Sequence, residues 1–201
     1  MGILGLASLA IALFAWALSS PVGASPDDDY HLTSIWCGHG ARDDLCEPAA
    51  HGDERRTLES LLTSPCYAFR ADASAACQGA TLEDNDTLVV TDRGNFTGAY
   101  PPLFYFFMSF FVGGDVASSV IVMRLVNVLV ALALTTAVWL ASPTGLRRGL
   151  VGGTVVTLVP LGMFILSSIN PSSWAVVSAA TFTVALLGYI TAGERRTRIR
   201  L

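Results

Sequence analysis

Long apolar segments with almost no charge constrain this chain more than any other feature. They run from Met1 to Ser20, Val116 to Ala141, Leu150 to Leu166 and Trp174 to Ala192. A helix needs about twenty apolar residues to cross the hydrocarbon core of a bilayer. Charged residues make up only 14% of the chain, whereas soluble domains carry about a quarter. The sequence therefore predicts an α-helical integral membrane protein with about four transmembrane helices.

The first apolar segment has two interpretations. Val22-Gly23-Ala24 resembles the small-residue cleavage site of a signal peptide, but no positively charged region precedes the apolar run, as a signal peptide would require. We therefore predict an uncleaved membrane anchor over residues 1–22.

A polar segment, residues 23–100, follows this anchor. It contains fourteen acidic residues and five arginines, whereas residues 142–149 and 193–201 together contain six arginines and one glutamate. Because basic loops stay in the cytoplasm, we predict a multi-pass protein of the cell membrane with both termini cytoplasmic and residues 23–115 extracytoplasmic. Since no basic patch lies outside those two short segments, nucleic acid is not an expected partner.

The polar segment also holds every cysteine of the chain. An even number of cysteines in an exported segment predicts disulfide bonds, and the sequence order favours the pairs Cys37–Cys46 and Cys66–Cys77. A zinc site with four cysteine ligands is the alternative, but no C-x-x-C pair supports it. We predict a folded extracytoplasmic loop domain over residues 23–100, with disulfides and no assigned metal ligand.

Smaller elements are expected on either side of residue 100. Residues 53–63 have the pattern of a short amphipathic helix, and residues 87–91 that of a brief strand. The membrane domain, residues 101–201, begins with ten aromatic-rich residues, 103–112, which are too few to span a bilayer. We interpret them as an interfacial or re-entrant helix, followed by spans over 116–141, 150–166 and 174–192 and a tight basic turn at 142–149.

Three adjacent carboxylates, Asp27, Asp28 and Asp29, directly follow the first span. Their mutual repulsion tends to raise at least one pKa. A carboxylate held at the membrane surface can act as a general base or help to bind a divalent cation. A requirement for a divalent cation therefore stays open. The alternative is a solvated acidic turn.

Further candidates lie at the other predicted span ends. Arg124 and Asn127 are three residues apart and share a helix face. An arginine that deep in a span must face a protein interior, a cavity or a counter-charge, and a lipid phosphate would suit its guanidinium group. The alternative is a structural ion pair. The remaining candidates also have a structural alternative. Tyr100 can be an interfacial anchor, and the turn that contains Asn170, Ser172 and Ser173 can cap the last helix.

Four motifs in this order resemble one family. They are Pro26-Asp27-Asp28-x-x-His31, Tyr100-Pro101-Pro102-Leu103-Phe104-Tyr105, Arg124-Leu125 and Asn170-Pro171-Ser172-Ser173. This layout resembles the N-terminal part of the bacterial family of domain of unknown function 2142 (DUF2142), which is related to the GT-C-fold membrane glycosyltransferases. GT-C proteins have many more spans than four, so the resemblance covers only the first part of such a protein.

The resemblance implies a glycosyltransferase, or the N-terminal part of one, that takes a sugar from a polyprenyl-phosphate donor on the extracytoplasmic side. Asp27 matches the catalytic carboxylate and Asp28 the acidic residue beside it, which is more often glutamate in the family. His31 matches the family histidine, and Arg124 is placed near the donor phosphate. The other residues expected to bind substrate are Tyr100, Asn127, Asn170, Ser172 and Ser173.

A non-catalytic role is the main alternative. The chain would then be an accessory or assembly protein of the cell envelope that uses its disulfide-bonded loop to bind a further membrane subunit. Membrane lipids are expected partners in either case. A transporter half is not favoured, because the sequence has no pair of interrupted spans in corresponding positions.

Overall fold

The chain folds into two compact units in the computed structural model, which describes residues 2–62, 65–79, 82 and 87–191. The membrane unit consists of the described residues up to Ser19 and from Arg124 onward, and the loop unit of those from Ser20 to Met123. The helices and strands in chain order are α1 (Gly2–Ser19), α2 (Asp28–Trp36), β1 (Cys46–Pro48), β2 (Arg55–Leu58), β3 (Leu88–Thr91), α3 (Leu103–Met108), α4 (Val116–Ala141), α5 (Thr144–Thr157), α6 (Pro160–Leu166) and α7 (Ser172–Thr191).

The core of the membrane unit is a small apolar cluster. Its buried side chains come from α1, α4, α6 and α7: Leu13, Ala17, Val128, Ala131, Leu166 and Val177. Large apolar side chains of α7, such as Phe182 and Ile190, are exposed instead. Because lipid chains are as apolar as leucine, close packing rather than water exclusion holds such helices together. The exposed residues are therefore those expected to face lipid.

Two of the described helices, α4 and α7, are long and apolar enough to cross a membrane, and α5 with α6 adds a third if this bent pair is one span. The apolar part of α1, Ile3–Ser19, is shorter. The prediction of an apolar, mostly helical protein is confirmed. The count of four spans and the sidedness of the loops stay predictions.

The predicted span over residues 150–166 is two helices, α5 and α6, with a bend of 104° between them. Pro160 has no N–H to donate and disfavours a helical residue before it, and Val159 accordingly has an extended backbone, with ψ at 167°. The basic turn expected at 142–149 is mostly helical, because α5 already begins at Thr144. The expected end of the last span, Ala192, lies outside the described residues.

The loop unit contains a three-stranded antiparallel sheet in the order β1-β2-β3. The strand predicted at 87–91 is confirmed as β3. The helix predicted over 53–63 is wrong: residues 55–58 form the central strand, paired with β1 and β3 on its two sides, and a short 3₁₀ turn follows at Glu59–Leu61. The end of that predicted helix, Thr63, lies outside the described residues. Backbone pairing on both sides outweighs the local helical pattern.

Two disulfides, Cys37–Cys46 and Cys66–Cys77, are formed as the sequence order favoured, so the zinc alternative is wrong. The first joins the end of α2 to β1. Gly38 lies at the same point, and a Cβ atom there would come within 2.6 Å of the Tyr105 carbonyl oxygen. A glycine is therefore required where α3 approaches the end of α2.

The aromatic segment predicted as a helix over 103–112 is found as α3 followed by a 3₁₀ turn at Ser109–Phe111. Leu103, Phe106 and Phe110 are exposed on it. An interfacial position for this segment stays a prediction.

Candidate functional site

The two predicted catalytic carboxylates have different surroundings at the start of α2. Asp27 precedes the helix in the left-handed conformation, with φ at 58°, which aspartate tolerates better than most residues. Its side chain is 61% exposed. Asp28 is the first residue of α2 and is buried, and its Oδ2 accepts a hydrogen bond from the Ser25 N–H at 3.2 Å. Asp27 is thus the accessible carboxylate, and Asp28 contributes to the local fold.

Arg93, which is distant in sequence, binds the acidic segment Asp27–Asp29. Its guanidinium group donates to Asp27 Oδ1 at 2.8 Å and to Asp29 Oδ2 at 2.7 Å. Such exposed ion pairs add little stability, but two directed contacts fix the orientation of both carboxylates. Burial tends to raise the pKa of the Asp29 carboxyl, but the hydrogen bond and charge of Arg93 keep it below its usual value. Sequence reasoning missed Arg93, because nothing local marks it.

The acidic segment forms one wall of a cavity of about 270 Å³ in the loop unit. An apolar wall faces the carboxylates. Phe69 on that wall is fully exposed and, like Asp27, has a left-handed backbone, with φ at 60°. The residues that line the cavity are Gly23, Ser25, Asp27, Asp28, Asp29, Leu61, Leu62, Pro65, Ala68 and Phe69. A few polar groups beside an apolar lining are typical of sites that bind small molecules.

His31 is buried in an aromatic cluster next to the acidic segment Asp27–Asp29. Its Nδ1 is 3.1 Å from the Tyr105 hydroxyl, and its ring is 6.0 Å from the Tyr100 ring. Asn95 connects the same group, since its Oδ1 accepts hydrogen bonds from the Tyr30 hydroxyl and the Tyr100 N–H. The structure thus brings His31 and Tyr100 together, as two predicted substrate-binding residues, and adds Tyr30, Asn95 and Tyr105, which the sequence analysis had not singled out as site residues.

The loop unit is expected to lose stability as the pH falls from 7 to 5. Burial lowers the pKa of His31, although the charges of Asp27 and Asp29 act in the opposite direction. The unfolded chain then binds a proton near pH 6.5 that the folded chain takes up only at lower pH, so stability is complete above that value and declines below it. Hydrogen exchange of the loop unit across this pH range measures the decline. A His31→Gln variant with the same decline as the wild type would contradict the assignment to His31.

A second group of predicted residues lies within the membrane unit. Asn127 Nδ2 donates to the Ser168 carbonyl oxygen at 2.6 Å, and the Trp174 indole N–H donates to Asn127 Oδ1 at 2.9 Å. Arg124 lies one turn earlier on α4 and is 1% exposed. Of the surroundings that the sequence left open for Arg124, the structure shows a buried position, and Asn127 connects α4 to the start of α7. A substrate-binding role of either residue stays a prediction.

The turn before α7 caps that helix. Asn170 Oδ1 accepts a hydrogen bond from the Ser172 N–H at 2.9 Å, and its carbonyl oxygen accepts one from the Ser173 hydroxyl at 2.7 Å. These contacts satisfy backbone and side-chain groups that the start of a helix leaves open. A substrate-binding role of Asn170, Ser172 and Ser173 stays a prediction. Across the described part of the chain, no cluster of three or more histidine, cysteine or acidic side chains is arranged to hold a metal ion.

No curated protein and no solved structure matches the chain. The profile of the family described as Predicted membrane protein (DUF2142) matches residues 10–201, which include α2 with its acidic segment and all the helices of the membrane unit that follow. The apolar helices and this match agree on a membrane location, and the chain belongs to the DUF2142 family of predicted membrane proteins.

Proposed function

We propose that this chain is a GT-C-like glycosyltransferase, or the N-terminal part of one, that uses a polyprenyl-phosphate sugar on the extracytoplasmic side of the membrane. One observation carries the proposal: the Asp27 carboxylate is accessible, oriented by Arg93 at 2.8 Å and placed on the wall of a cavity of about 270 Å³. The range matched by the DUF2142 family, residues 10–201, includes the motif Pro26-Asp27-Asp28-x-x-His31.

In the proposed reaction Asp27 is the general base. It accepts the proton of an acceptor hydroxyl as that oxygen attacks the anomeric carbon of the donor. The bond between the anomeric carbon and the phosphate oxygen breaks, and polyprenyl phosphate leaves with the bonding electrons, so the configuration is inverted. A role of Arg124 in binding the donor phosphate rests on the family resemblance alone, because this side chain is 1% exposed and does not line the cavity beside Asp27.

The proposed topology has four spans, with both termini cytoplasmic and residues 23–115 outside. The 18 residues of α1 extend for about 27 Å at 1.5 Å per residue, close to the thickness of the hydrocarbon core. The two disulfides of the loop unit also favour an oxidising compartment.

An Asp27→Asn variant is expected to lose transfer activity by about 10²- to 10⁴-fold, the usual contribution of a general base. The assay uses membranes that contain the chain and short-chain polyprenyl-phosphate donors carrying hexoses or pentoses, with product detected by mass spectrometry. Asp29→Asn is the matched control, because it removes the other Arg93 contact and lines the same cavity, and it should keep activity within several-fold. Full activity of Asp27→Asn, or equal losses in both variants, would show that Asp27 is not the base.

A non-catalytic assembly role is the second candidate, and Phe69 favours it. This side chain is fully exposed on the loop unit, and exposed aromatic residues are frequent anchors of protein interfaces. A partner membrane subunit would then co-purify with the wild type in mild detergent and be lost from Phe69→Ala, whereas Asp27→Asn would retain it. A partner retained by Phe69→Ala would argue against this interface.

A further inference from the structure

A groove of about 300 Å³ opens in the membrane unit between α1, α4, α5 and α6, and none of the predicted site residues lines it. Small residues of α1, Gly5, Ser8 and Ala12, make room for it, and Val151 of α5 forms part of the opposite wall. These α1 positions extend for about 10 Å at 1.5 Å per residue. A water molecule occupies roughly 30 Å³, and a methylene group is of similar size, so the groove has room for about ten methylene groups. Its shape and apolar lining suit a large part of one acyl chain.

Positive charge lies at one end of this groove. The Arg147 guanidinium group stacks over the ring of Trp139, a lining residue, at 5.0 Å. It also donates to the carbonyl oxygens of Leu140 and Ser142 at 2.9 and 2.7 Å, which holds it in place. Arg148 beside it is exposed and has no ion pair or hydrogen bond among the described residues. Both arginines belong to the first turns of α5, one turn before Val151.

Within the described part of the membrane unit, no acidic side chain balances this charge. Its described residues include Arg124, Arg147 and Arg148 but no aspartate or glutamate. The start of α5 adds the positive end of a helix dipole. Among the described residues of this unit, Arg147 and Arg148 therefore have no acidic counter-charge.

We propose that the groove binds one anionic glycerophospholipid of the surrounding bilayer. An acyl chain lies between α1 and α5, and the phosphate is bound by Arg147 and Arg148. A lipid fits better than a partner helix, because the apolar channel and the cationic mouth match the tail and the head of a single molecule. Guanidinium groups bind phosphate oxygens bidentately, and each basic residue near a membrane surface strengthens the attraction to anionic lipid. This binding is independent of the proposed glycosyl transfer.

Native mass spectrometry of the detergent-purified chain tests the head-group contact. Phosphatidylglycerol and phosphatidylcholine with the same acyl chains are the two probes. We expect the wild type to prefer phosphatidylglycerol by about tenfold, a modest value for two arginines at a membrane surface. Arg148→Gln should reduce this preference several-fold, and Arg147→Gln/Arg148→Gln should abolish it. The single variant leaves the Arg147 contacts to α4 intact, and Arg70→Gln, an exposed arginine of the loop unit, is the control.

A second pair of variants tests the acyl-chain contact. Ser8→Trp fills the groove, whereas Ala7→Trp places the same ring at an exposed neighbouring position that does not line it. Ser8→Trp should lower the occupancy of both lipids about tenfold, and Ala7→Trp should leave it unchanged. Ala12→Val is a milder filling variant if Ser8→Trp does not accumulate. An unchanged lipid preference in both arginine variants, or equal occupancy in the filled and control variants, would overturn the proposal.

Discussion

Replacing Cys37 and Cys46 together by alanine is expected to lower the free energy of unfolding of the loop unit by about 2–4 kcal/mol. This disulfide joins the end of α2 to β1 across a separation of nine residues, so it restricts the unfolded chain and connects the helix that follows Asp27 to the sheet. Cys46 is also completely buried, and its truncation removes core packing. Because natural domains are stable by only about 5–15 kcal/mol, a large part of the stability of this unit would be lost.

Hydrogen exchange of the α2 amides in detergent measures this loss. Protection should fall by about thirtyfold to several-hundredfold, since each 1.4 kcal/mol corresponds to a factor of ten. The Cys66→Ala/Cys77→Ala variant is the matched control, because its disulfide closes a loop of similar length, with a separation of eleven residues, but both of its cysteines are exposed. Equal losses in the two variants would indicate that loop closure alone, without the buried contacts of Cys46, accounts for the effect.

The second large effect is expected at Trp36, at the end of α2. This side chain is completely buried, and Trp36→Ala should destabilise the loop unit by about 3–5 kcal/mol through lost burial and the cavity left behind. Trp36→Phe should cost much less. The phenylalanine ring fills most of the space, and the indole Nε1 that the substitution removes has no hydrogen-bond acceptor within the described part of the chain, so no buried hydrogen bond is lost.

The same exchange measurement separates these variants. Phe69→Ala is the control, because it removes an aromatic ring of the same unit that is fully exposed, and surface substitutions usually change stability by less than about 0.5 kcal/mol. A Trp36→Phe variant as unstable as Trp36→Ala would mean that the indole ring has a specific partner, which the proposed packing does not include.

The elements that sequence reasoning predicted best are those with a continuous local signal. The span expected over 116–141 is α4 with the same bounds, and the one expected over 174–192 is α7, which begins two residues earlier at Ser172. Uninterrupted apolar runs of this length have few alternatives. Strand β3 was also found, because its β-branched residues favour a strand.

The errors arose where distant residues decide the structure. Residues 55–58 look helical by themselves, yet they form the central strand because β1 and β3 pair with them from both sides. Arg93 was missed for the same reason, since it binds Asp27 across 66 residues of sequence. In both cases the partner that determines the role of the segment is not visible in any local window.

The candidate site was predicted in part. His31 and Tyr100 were named from a motif, and the structure places them in one aromatic cluster. Asp28 was expected to be catalytic together with Asp27, but Asp28 is buried whereas Asp27 is exposed. No spacing rule distinguishes two adjacent aspartates. The difference between them comes with a left-handed turn at Asp27, which the sequence pattern does not indicate.

The bend of 104° between α5 and α6 affects more than the direction of two helices. Thr154 and Thr157 donate to carbonyl oxygens one turn before them, so their hydroxyl groups would be satisfied if the segment lies in lipid. A helix pair that continues through the bilayer adds one crossing, whereas a pair that returns to its starting face adds none. The path of the chain after Pro160 therefore decides whether the number of crossings is odd or even, and with it the compartment of every later residue.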